Sequence, residues 1–229
     1  MEGVHRIRNK IFTSNTYVYI IPNTDECFII DPGLDFDSID QFLIQNGLKP
    51  IVILCTHGHF DHVGSAQKLK QKYHAKIALH AGDLKVAKSA NFLLMACKIE
   101  HRIQTPIVDF EMKGENIQLD VNAIPIQWIH IPGHTVGSCV ILLDNYAFTG
   151  DSIYRNGVGL VDFPGEDKQK LKESILNVWD RLPESCFVYP GHGGADTWGN
   201  IKRRNAALRE FLGMEVLEGS FTSGSIHEG

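Results

Sequence analysis

The 229-residue chain is long enough for one large domain or two small ones. Its 22 basic and 27 acidic residues give a formal net charge of −5, and the absence of a basic stripe argues against nucleic acid as a partner. Five widely spaced cysteines without a CxxC pair argue against a disulfide scaffold or a structural zinc knot. The N-terminus lacks an apolar signal-peptide core and no 18-residue apolar run occurs, so we expect a soluble, cytoplasmic protein without membrane contact.

The first half of the chain has the pattern of short buried strands alternating with amphipathic helices. Strands are rich in β-branched and aromatic residues, and the helices carry apolar residues at helical spacing. The pattern predicts strands at 17–21, 27–30, 51–55 and 77–80, and helices at 37–45 and 65–73. Residues 83–112 then form a mixed, partly helical excursion.

The second half repeats the order of strands followed by helices. The pattern predicts strands at 117–119, 124–131, 139–143, 147–149 and 187–189, and helices at 168–182 and 201–212. We therefore expect two β-then-α half-domains, with two sheets face to face, helices outside, and a site in the seam. Residues 1–212 would form this domain and 213–229 a tail. The tail would be a surface strap, a segment that packs on a second copy in a homodimer, or a non-native remnant.

Four potential metal ligands lie within six residues, directly after the predicted strand at 51–55. These are His57, His59, Asp61 and His62. Imidazole and carboxylate groups crowded in this way are costly to solvate or pair individually unless a metal binds them. His134, Asp151 and His192 also follow apolar runs and sit beside glycine. Five histidines and two aspartates without a thiolate suit zinc, Fe(II) or Mn(II), and not copper(I) or an iron–sulfur cluster.

The seven residues divide into two ligand sets. We assign His57, His59 and His134 to one metal, Asp61, His62 and His192 to the other, and Asp151 as the bridge between them. Three protein ligands per metal leave room for a shared water, which distinguishes a catalytic site from a closed structural one. Two metals about 3.5–4 Å apart would hold a hydroxide and polarise the substrate oxygen. Asp61 and Asp151 are therefore the predicted catalytic residues, with two zinc ions as the expected cofactors and iron or manganese as alternatives.

Simpler interpretations exist for individual residues. A lone histidine such as His80, His101 or His130 is more often a core or surface residue than a ligand. Asp61 would also serve as a helix cap, and Asp151 as a turn residue. The density of the other ligands favours metal binding for both.

Four short metal-ligand motifs and three longer segments carry a family resemblance over roughly residues 15–210. Residues 56–62 (Thr-His-Gly-His-Phe-Asp-His), with Gly133-His134-Thr135, Gly150-Asp151 and Gly191-His192, resemble the metal signature of the metallo-β-lactamase superfamily. Residues 132–138, 159–165 and 189–193 are similar to the glyoxalase II-like hydrolases (hydroxyacylglutathione hydrolases). The resemblance implies an α/β fold, a four-layer αββα sandwich, with a two-metal site and thioester hydrolysis. In the superfamily the residue matching Asp31 commonly supports the site as an acceptor, although turn chemistry alone also explains it. Cys55 and Cys139 are not ligand positions in the family and are expected to be small buried residues.

The resemblance also bears on the substrate, which we expect to be a small acyl compound. A thioester needs no strong general acid, because the leaving thiolate has a conjugate acid near pKa ~8.5. The glyoxalase II-like proteins usually place Lys or Arg where this chain has Leu160, and a helical extension that contributes to glutathione binding follows their last ligand. Only 37 residues follow His192. We therefore expect Leu160 and Arg155 to contact the substrate and glutathione to bind poorly, unless Arg155, Lys202, Arg203 or Arg204 replaces the missing cation.

Three other functions stay open at this point. A persulfide dioxygenase would keep much of the ligand set but use a single iron. A lactonase or phosphodiesterase would use the same metals with a different pocket. A non-catalytic metal-binding module is disfavoured because all seven ligands are present.

Overall fold

Two six-stranded sheets organise the chain. The structure is a computed structural model that describes residues 3–160 and 163–217. It divides into two compact units, Met1–Lys113 and Gly114–Gly229, and each described unit has one sheet and its own apolar core. The predicted β-then-α order of both halves is confirmed. The division into a domain at 1–212 and a tail stays a prediction, because residues 218–229 lie outside the described residues.

The first unit is built around a sheet with the strand order β1-β2-β3-β4-β5-β6. Its elements are β1 (Gly3–Arg8), β2 (Asn15–Ile20), β3 (Glu26–Ile30), α1 (Phe36–Gln45), β4 (Lys49–Leu54), α2 (Phe60–Val63), α3 (Ala66–Tyr73), β5 (Lys76–His80), α4 (Leu84–Lys88), α5 (Ala90–Ala96) and β6 (Phe110–Met112). Strands β1 to β3 pair antiparallel, whereas β3 to β6 pair parallel. The carboxyl ends of parallel strands lie at one edge of a sheet, so Asp31 after β3 and His57 after β4 are neighbours.

The second unit has the strand order β12-β11-β10-β9-β8-β7. Its elements are β7 (Asn116–Val121), β8 (Ile124–His130), β9 (Cys139–Leu143), β10 (Tyr146–Gly150), α6 (Lys168–Val178), β11 (Phe187–Pro190), β12 (Asp196–Thr197), α7 (Trp198–Arg204) and α8 (Ala206–Leu212). Strands β10 and β11 pair parallel, while the other neighbours pair antiparallel. Asp151 and His192 follow the two parallel strands, which brings both to the same edge of this sheet.

Four short or marginal elements were not predicted from the sequence. Strand β1 is only half-buried, β6 and β12 have three and two residues, and α2 has four. Such segments are too short or too polar to show a clear hydrophobic period. None of the described helices is long and apolar enough to cross a membrane.

Two predicted helices have the wrong boundaries. The helix predicted at 168–182 ends at Val178. After Val178 the backbone tightens, because the N–H groups of Trp179 and Arg181 donate to carbonyls only three residues back. The Trp179 carbonyl accepts from the Trp198 indole at 3.0 Å. The helix predicted at 201–212 begins earlier, at Trp198, and is divided into α7 and α8.

Asn205 lies between α7 and α8, and its side chain also forms hydrogen bonds with the loop after Asp151. Its side-chain oxygen accepts from the Leu208 N–H at 2.9 Å, which caps α8, and from the Gly157 N–H at 2.7 Å. Its amide nitrogen donates to the carbonyls of Tyr154 and Gly157, both at 3.0 Å. The side chain is fully buried, so these bonds cannot be replaced by water without a structural change.

We expect Asn205→Ala to lower the free energy of unfolding by about 2–4 kcal/mol, since it removes a helix cap and leaves buried polar groups of the 154–157 loop unsatisfied. Urea denaturation followed by circular dichroism measures this. Asn177→Ala, an exposed position on α6, is the matched control and should change stability by less than about 0.5 kcal/mol. Equal effects of the two substitutions would contradict the role given to Asn205.

Candidate metal centre

The first unit places four of the predicted ligands on one short segment. His57 and His59 lie in the turn after β4, and Asp61 and His62 lie in α2. All four side chains are buried. One nitrogen of His57 and one of His59 lie within 4.8 Å of each other, as do ligand atoms of Asp61 and His62. The structure therefore brings these four together.

Asp31 fixes the orientation of the His62 ring. Its carboxylate accepts hydrogen bonds from the Thr56 N–H at 2.7 Å and the Thr56 hydroxyl at 2.6 Å, and its Oδ2 lies 3.0 Å from His62 Nδ1. Because a carboxylate only accepts, Nδ1 carries the proton, and Nε2 of the neutral ring presents a lone pair. Asp31 therefore acts as an acceptor that supports the site, and its backbone also forms a turn with φ near 50°.

The lone pair of His62 points at another acceptor. Its Nε2 lies 3.3 Å from Oδ2 of Asp61. Two acceptor atoms this close in a buried site repel one another unless a cation binds both. The donor set therefore fits a metal ion, and it fits a metal that prefers nitrogen and oxygen ligands. The helix-cap interpretation of Asp61 is wrong, because the N-cap of α3, which follows the ligand cluster, is Ser65, and that of α2 is His59.

The second unit brings the other three predicted ligands together in the same manner. His134 Nδ1 lies 2.7 Å from the Gly159 carbonyl oxygen and 3.4 Å from Oε1 of Glu166, so this nitrogen donates. His134 Nε2 lies 3.7 Å and His192 Nε2 lies 3.5 Å from the same oxygen, Oδ2 of Asp151. The structure therefore brings His134, Asp151 and His192 together, and the bridging role of Asp151 stays a prediction.

Glu166 is a functional candidate that the sequence analysis missed. Its side chain is only 4% exposed, and it lies behind His134 on the side away from Asp151. Burial lowers the pKa of His134. Glu166, Asp151 and the Gly159 carbonyl raise this pKa by more than burial lowers it, so the pKa of the metal-free ring lies above its ordinary value. A carboxylate behind a ligand imidazole increases the basicity of the nitrogen that faces the metal.

Other supporting residues were also missed. The buried carboxylate of Asp83 accepts from the Gly58 N–H at 2.7 Å, between the ligands His57 and His59. The hydroxyl of Ser14 donates to the Asp61 carbonyl at 2.7 Å. Neither partner lies near the ligands in sequence, so no local motif could have identified them.

Gly159 is required by its position between Asp151 and His134. A Cβ atom added there would overlap the Asp151 carbonyl oxygen and contact the Tyr154 hydroxyl. Its own carbonyl accepts from His134. The sequence analysis quoted Gly159 only as part of a motif, and its contacts explain why a side chain is excluded there.

The predicted substrate-binding residues lie in the second unit. Leu160 is half-buried and packs against the core of that unit. Arg155 Nε lies 3.5 Å from Oδ2 of Asp196. Lys202 and Arg203 pair with Asp180 at 2.9 Å and with Glu184 at 3.0 Å. Three of the four cations offered as substitutes for a Lys or Arg at position 160 are thus already paired with carboxylates. That Leu160 and Arg155 contact substrate stays a prediction.

Two of the lone histidines, His80 and His130, make hydrogen bonds outside the predicted ligand set. His80 Nδ1 accepts from the Gly82 N–H at 3.3 Å, and His130 Nε2 lies 2.8 Å from the Val136 carbonyl. Cys55 and Cys139 are buried, as predicted. Burial raises the pKa of Cys55 well above that of a free thiol, which disfavours the thiolate that a metal ligand needs.

Comparisons with known proteins agree with this site. The sequence model of the metallo-beta-lactamase superfamily matches residues 11–192, a range that contains all seven predicted ligands. The hydroxyacylglutathione hydrolase GloC of Haemophilus influenzae is 34% identical over 190 residues, which cover 79% of this chain and 86% of that protein.

Solved structures give the same fold. The B3 metallo-beta-lactamase BLEG-1 has a TM-score of 0.78 at 28% identity, covering 90% of this chain and 99% of that one. TTHA1623 in a di-iron-bound form has a TM-score of 0.78 at 29% identity, covering 88% of this chain and 98% of that one. The predicted fold class, an α/β fold of the metallo-β-lactamase type with two mixed sheets and their helices, is confirmed.

We expect Gly159→Ala to impair metal binding, because the added methyl group displaces the backbone of Asp151 and the acceptor of His134. Overpacking of this kind costs about 1–3 kcal/mol. Elemental analysis and the thermal midpoint, measured with and without added zinc, report the two effects. Gly194→Ala is the control, since its Cβ would meet only the Arg155 guanidinium at an ordinary 3.5 Å. Normal metal content in Gly159→Ala would contradict this positioning role.

Proposed function

The chain belongs to the metallo-β-lactamase superfamily, and on that premise we propose that it is a dinuclear metal-dependent hydrolase of thioesters. The superfamily consists mostly of metal-dependent hydrolases, and a histidine and aspartate cluster typical of it is present. The observation that carries the proposal is the protonation pattern of two buried imidazoles. His62 and His134 each donate from Nδ1 to a protein acceptor and direct Nε2 toward an aspartate oxygen.

The proposed ligand assignment is the one that the sequence motifs suggest. His57, His59 and His134 would hold one metal, and Asp61, His62 and His192 the other, with Asp151 between them. The approach of both His134 and His192 to Oδ2 of Asp151 supports the bridging role. When bound, the metals supply a water of lowered pKa and Lewis acidity at the acyl oxygen. We propose zinc as the metal, with the di-iron form of TTHA1623 supporting iron as the alternative.

The chain's own residues would prepare this centre in three ways. Asp31 accepts from Nδ1 of His62, and the Gly159 carbonyl and Glu166 accept from Nδ1 of His134, so Nε2 of each ring is the nitrogen left to bind a metal. Asp83 and Ser14 form hydrogen bonds with the backbone of Gly58 and Asp61, and these bonds limit the reorganisation of the segment at residues 57–62. Six of the seven predicted ligands are buried and His192 is half-buried, which limits the access of bulk water and strengthens the electrostatic interactions within the site.

A thioester suits this set of metal ligands and supporting residues better than an ester or amide does. A thiolate leaves without a strong general acid because its conjugate acid has a pKa near ~8.5. The function of GloC, a hydroxyacylglutathione hydrolase, supports the same bond type. The thiol portion of the substrate is a separate question, because glutathione carries two carboxylates that need cations. Leu160 supplies none, and Arg155, Lys202 and Arg203 already lie beside acidic partners. We therefore propose a thioester whose thiol portion lacks a carboxylate near residue 160.

We expect Asp61→Ala and Asp151→Ala to reduce thioester hydrolysis by at least about a hundredfold, because each removes a carboxylate that holds metal. Wild-type protein should contain close to two metals per chain by elemental analysis, and each variant should contain less, with an unchanged circular dichroism spectrum. Asp180→Ala is the control, since this aspartate is 88% exposed and its surface ion pair contributes little.

The same experiment separates the other candidate functions. One iron per chain with oxygen uptake on a persulfide would indicate a dioxygenase and would refute the dinuclear proposal. Preferred turnover of a lactone or a phosphodiester in the same substrate panel would retain the metal centre but refute the thioester. Near-normal turnover by either aspartate variant would show that the chemistry lies elsewhere.

We expect Leu160→Arg to lower the Michaelis constant for S-lactoylglutathione about ten- to a hundredfold, because it adds a charge-assisted contact worth roughly 1.5–3 kcal/mol. Turnover should change less, since the contact is remote from the reacting carbonyl. Leu176→Arg on the exposed face of α6 makes the same chemical change elsewhere and should have no effect. If wild-type protein already saturates at micromolar S-lactoylglutathione, or if the constant is unchanged in Leu160→Arg, the proposed substrate preference is wrong.

A further inference from the structure

The hydroxyl of Thr56 lies between the carboxylate of Asp31 and the ring of His57. Its Oγ1 is 2.6 Å from Oδ2 of Asp31 and 3.1 Å from Nδ1 of His57. All three side chains are buried, so the hydroxyl makes its hydrogen bonds within the protein rather than with bulk water. Thr56 therefore connects a supporting carboxylate to a predicted metal ligand.

The direction of these two hydrogen bonds follows from the protons that are present. A carboxylate only accepts, so the single hydroxyl proton of Thr56 is donated to Asp31. The Thr56 oxygen is then an acceptor, and Nδ1 of His57 is the donor. A neutral imidazole has one N–H group, so Nε2 of His57 carries the lone pair that a metal ligand needs.

Asp31 acts on two predicted ligands by two different routes. Its Oδ2 accepts directly from Nδ1 of His62 at 3.0 Å, and it acts on His57 through the Thr56 hydroxyl. The centroids of the His57 and His62 rings are 4.1 Å apart, with the ring planes at 45° to each other. In the predicted assignment these two histidines bind different metals. One buried carboxylate thus fixes the proton of one imidazole in each ligand set.

A metal ion held by Asp31, His57 and His62 themselves is the other interpretation of this group, because their ligand atoms lie within 4.8 Å of one another. The hydrogen bonds argue against it. Both carboxylate oxygens of Asp31 already accept from Thr56, and Nδ1 of His62 donates to one of them. A cation at this place would displace these protons. The group is therefore a support for ligands rather than a further ligand set.

From this geometry we propose that Thr56 is a positioning residue that holds the proton of His57 on Nδ1 and thereby sets the affinity for one metal of the pair. The inference rests on the proposed dinuclear centre but not on its substrate. Thr56 acts on His57 alone, whereas Asp31 acts on both His57 and His62. Loss of an outer hydrogen-bond partner of a ligand typically lowers metal affinity about 10- to 100-fold.

Stepwise zinc binding by the full chain, measured by competition with a chromophoric chelator, tests the proposal. Thr56→Val removes the hydroxyl but keeps the side-chain volume and the N–H group that Asp31 accepts from. One of the two zinc ions should then bind about 10- to 100-fold more weakly, and the other nearly as in the wild type. Thr56→Ser keeps the hydroxyl and should restore the binding of both ions. The control is Thr24→Val, the same change in an exposed turn where the hydroxyl donates to the Ile21 carbonyl, and it should have no effect.

Two further measurements test the connection between the two histidines. Asp31→Asn leaves one acceptor oxygen for three donors, so it should weaken the binding of both zinc ions. Nuclear magnetic resonance of wild-type protein with isotope-labelled histidine shows which ring nitrogen carries the proton, and it does not require any variant to fold. In the zinc-free chain, at a pH where the rings are neutral, His57 and His62 should both carry it on Nδ1. A proton on Nε2 of His57 would overturn the proposal.

The remaining outcomes of the zinc titration are also decisive. If Thr56→Val binds both ions like the wild type, or if Thr56→Ser binds as weakly as Thr56→Val, the hydroxyl has no positioning role. Equal weakening of both ions by Thr56→Val would contradict its action on His57 alone. A wild-type chain that binds a single zinc ion would refute the dinuclear centre, while the difference between the Val and Ser variants would still decide the role of Thr56. None of these outcomes depends on the thioester activity.

Discussion

The site of the first unit depends on one buried carboxylate, that of Asp31. A carboxylate in such a place is unfavourable by several kcal/mol unless donors surround it, and here two Thr56 donors and the His62 ring do so. Asp31 adopts a left-handed backbone with φ near 50°, an uncommon conformation for a non-glycine residue. Its N–H donates to the Leu54 carbonyl at 3.0 Å, which ties the residue to the end of β4. The strained turn is thus held by the same strands that present the ligands, and without it the His62 ring would have no fixed orientation.

In each unit a protein acceptor holds the proton of one predicted ligand imidazole on Nδ1, but the two acceptors differ. Behind His62 the acceptor is a carboxylate alone, whereas behind His134 it is a backbone carbonyl at 2.7 Å with the Glu166 carboxylate at 3.4 Å. Both arrangements leave Nε2 as the basic nitrogen. Because the acceptor for His134 is the carbonyl of Gly159, it links the His134 ring to the loop that begins at Asp151. The same loop therefore positions two predicted ligands, His134 and Asp151. This coupling explains why the loop itself is fastened by Asn205, far from the ligands in sequence.

The clustering of the predicted ligands could be predicted from the sequence, whereas the residues that support them could not, for a physical reason. A ligand such as His59 stands in a dense local motif after a buried strand, and parallel strands bring such strand ends together. Asp83 and Glu166 act across 25 and 32 residues of chain, and each looks like an ordinary turn or loop acid in sequence. Helix boundaries failed similarly, because the end of α6 depends on an indole donor from Trp198 that only the folded chain supplies.

The pairing of surface cations with carboxylates affects how this protein can distinguish substrates. Arg155, Lys202 and Arg203 have acidic partners nearby, so part of their attraction for an anionic substrate is cancelled before it binds. If Leu160 contacts the substrate as predicted, its apolar contact would contribute more of the selectivity. Apolar contacts separate related substrates by only about 1–3 kcal/mol per methylene group, much less than a site built around hydrogen bonds to a required polar group. For the proposed thioester activity, discrimination would therefore come mainly from the reactivity of the acyl–sulfur bond, and a range of thiol portions without a carboxylate near residue 160 would be accepted.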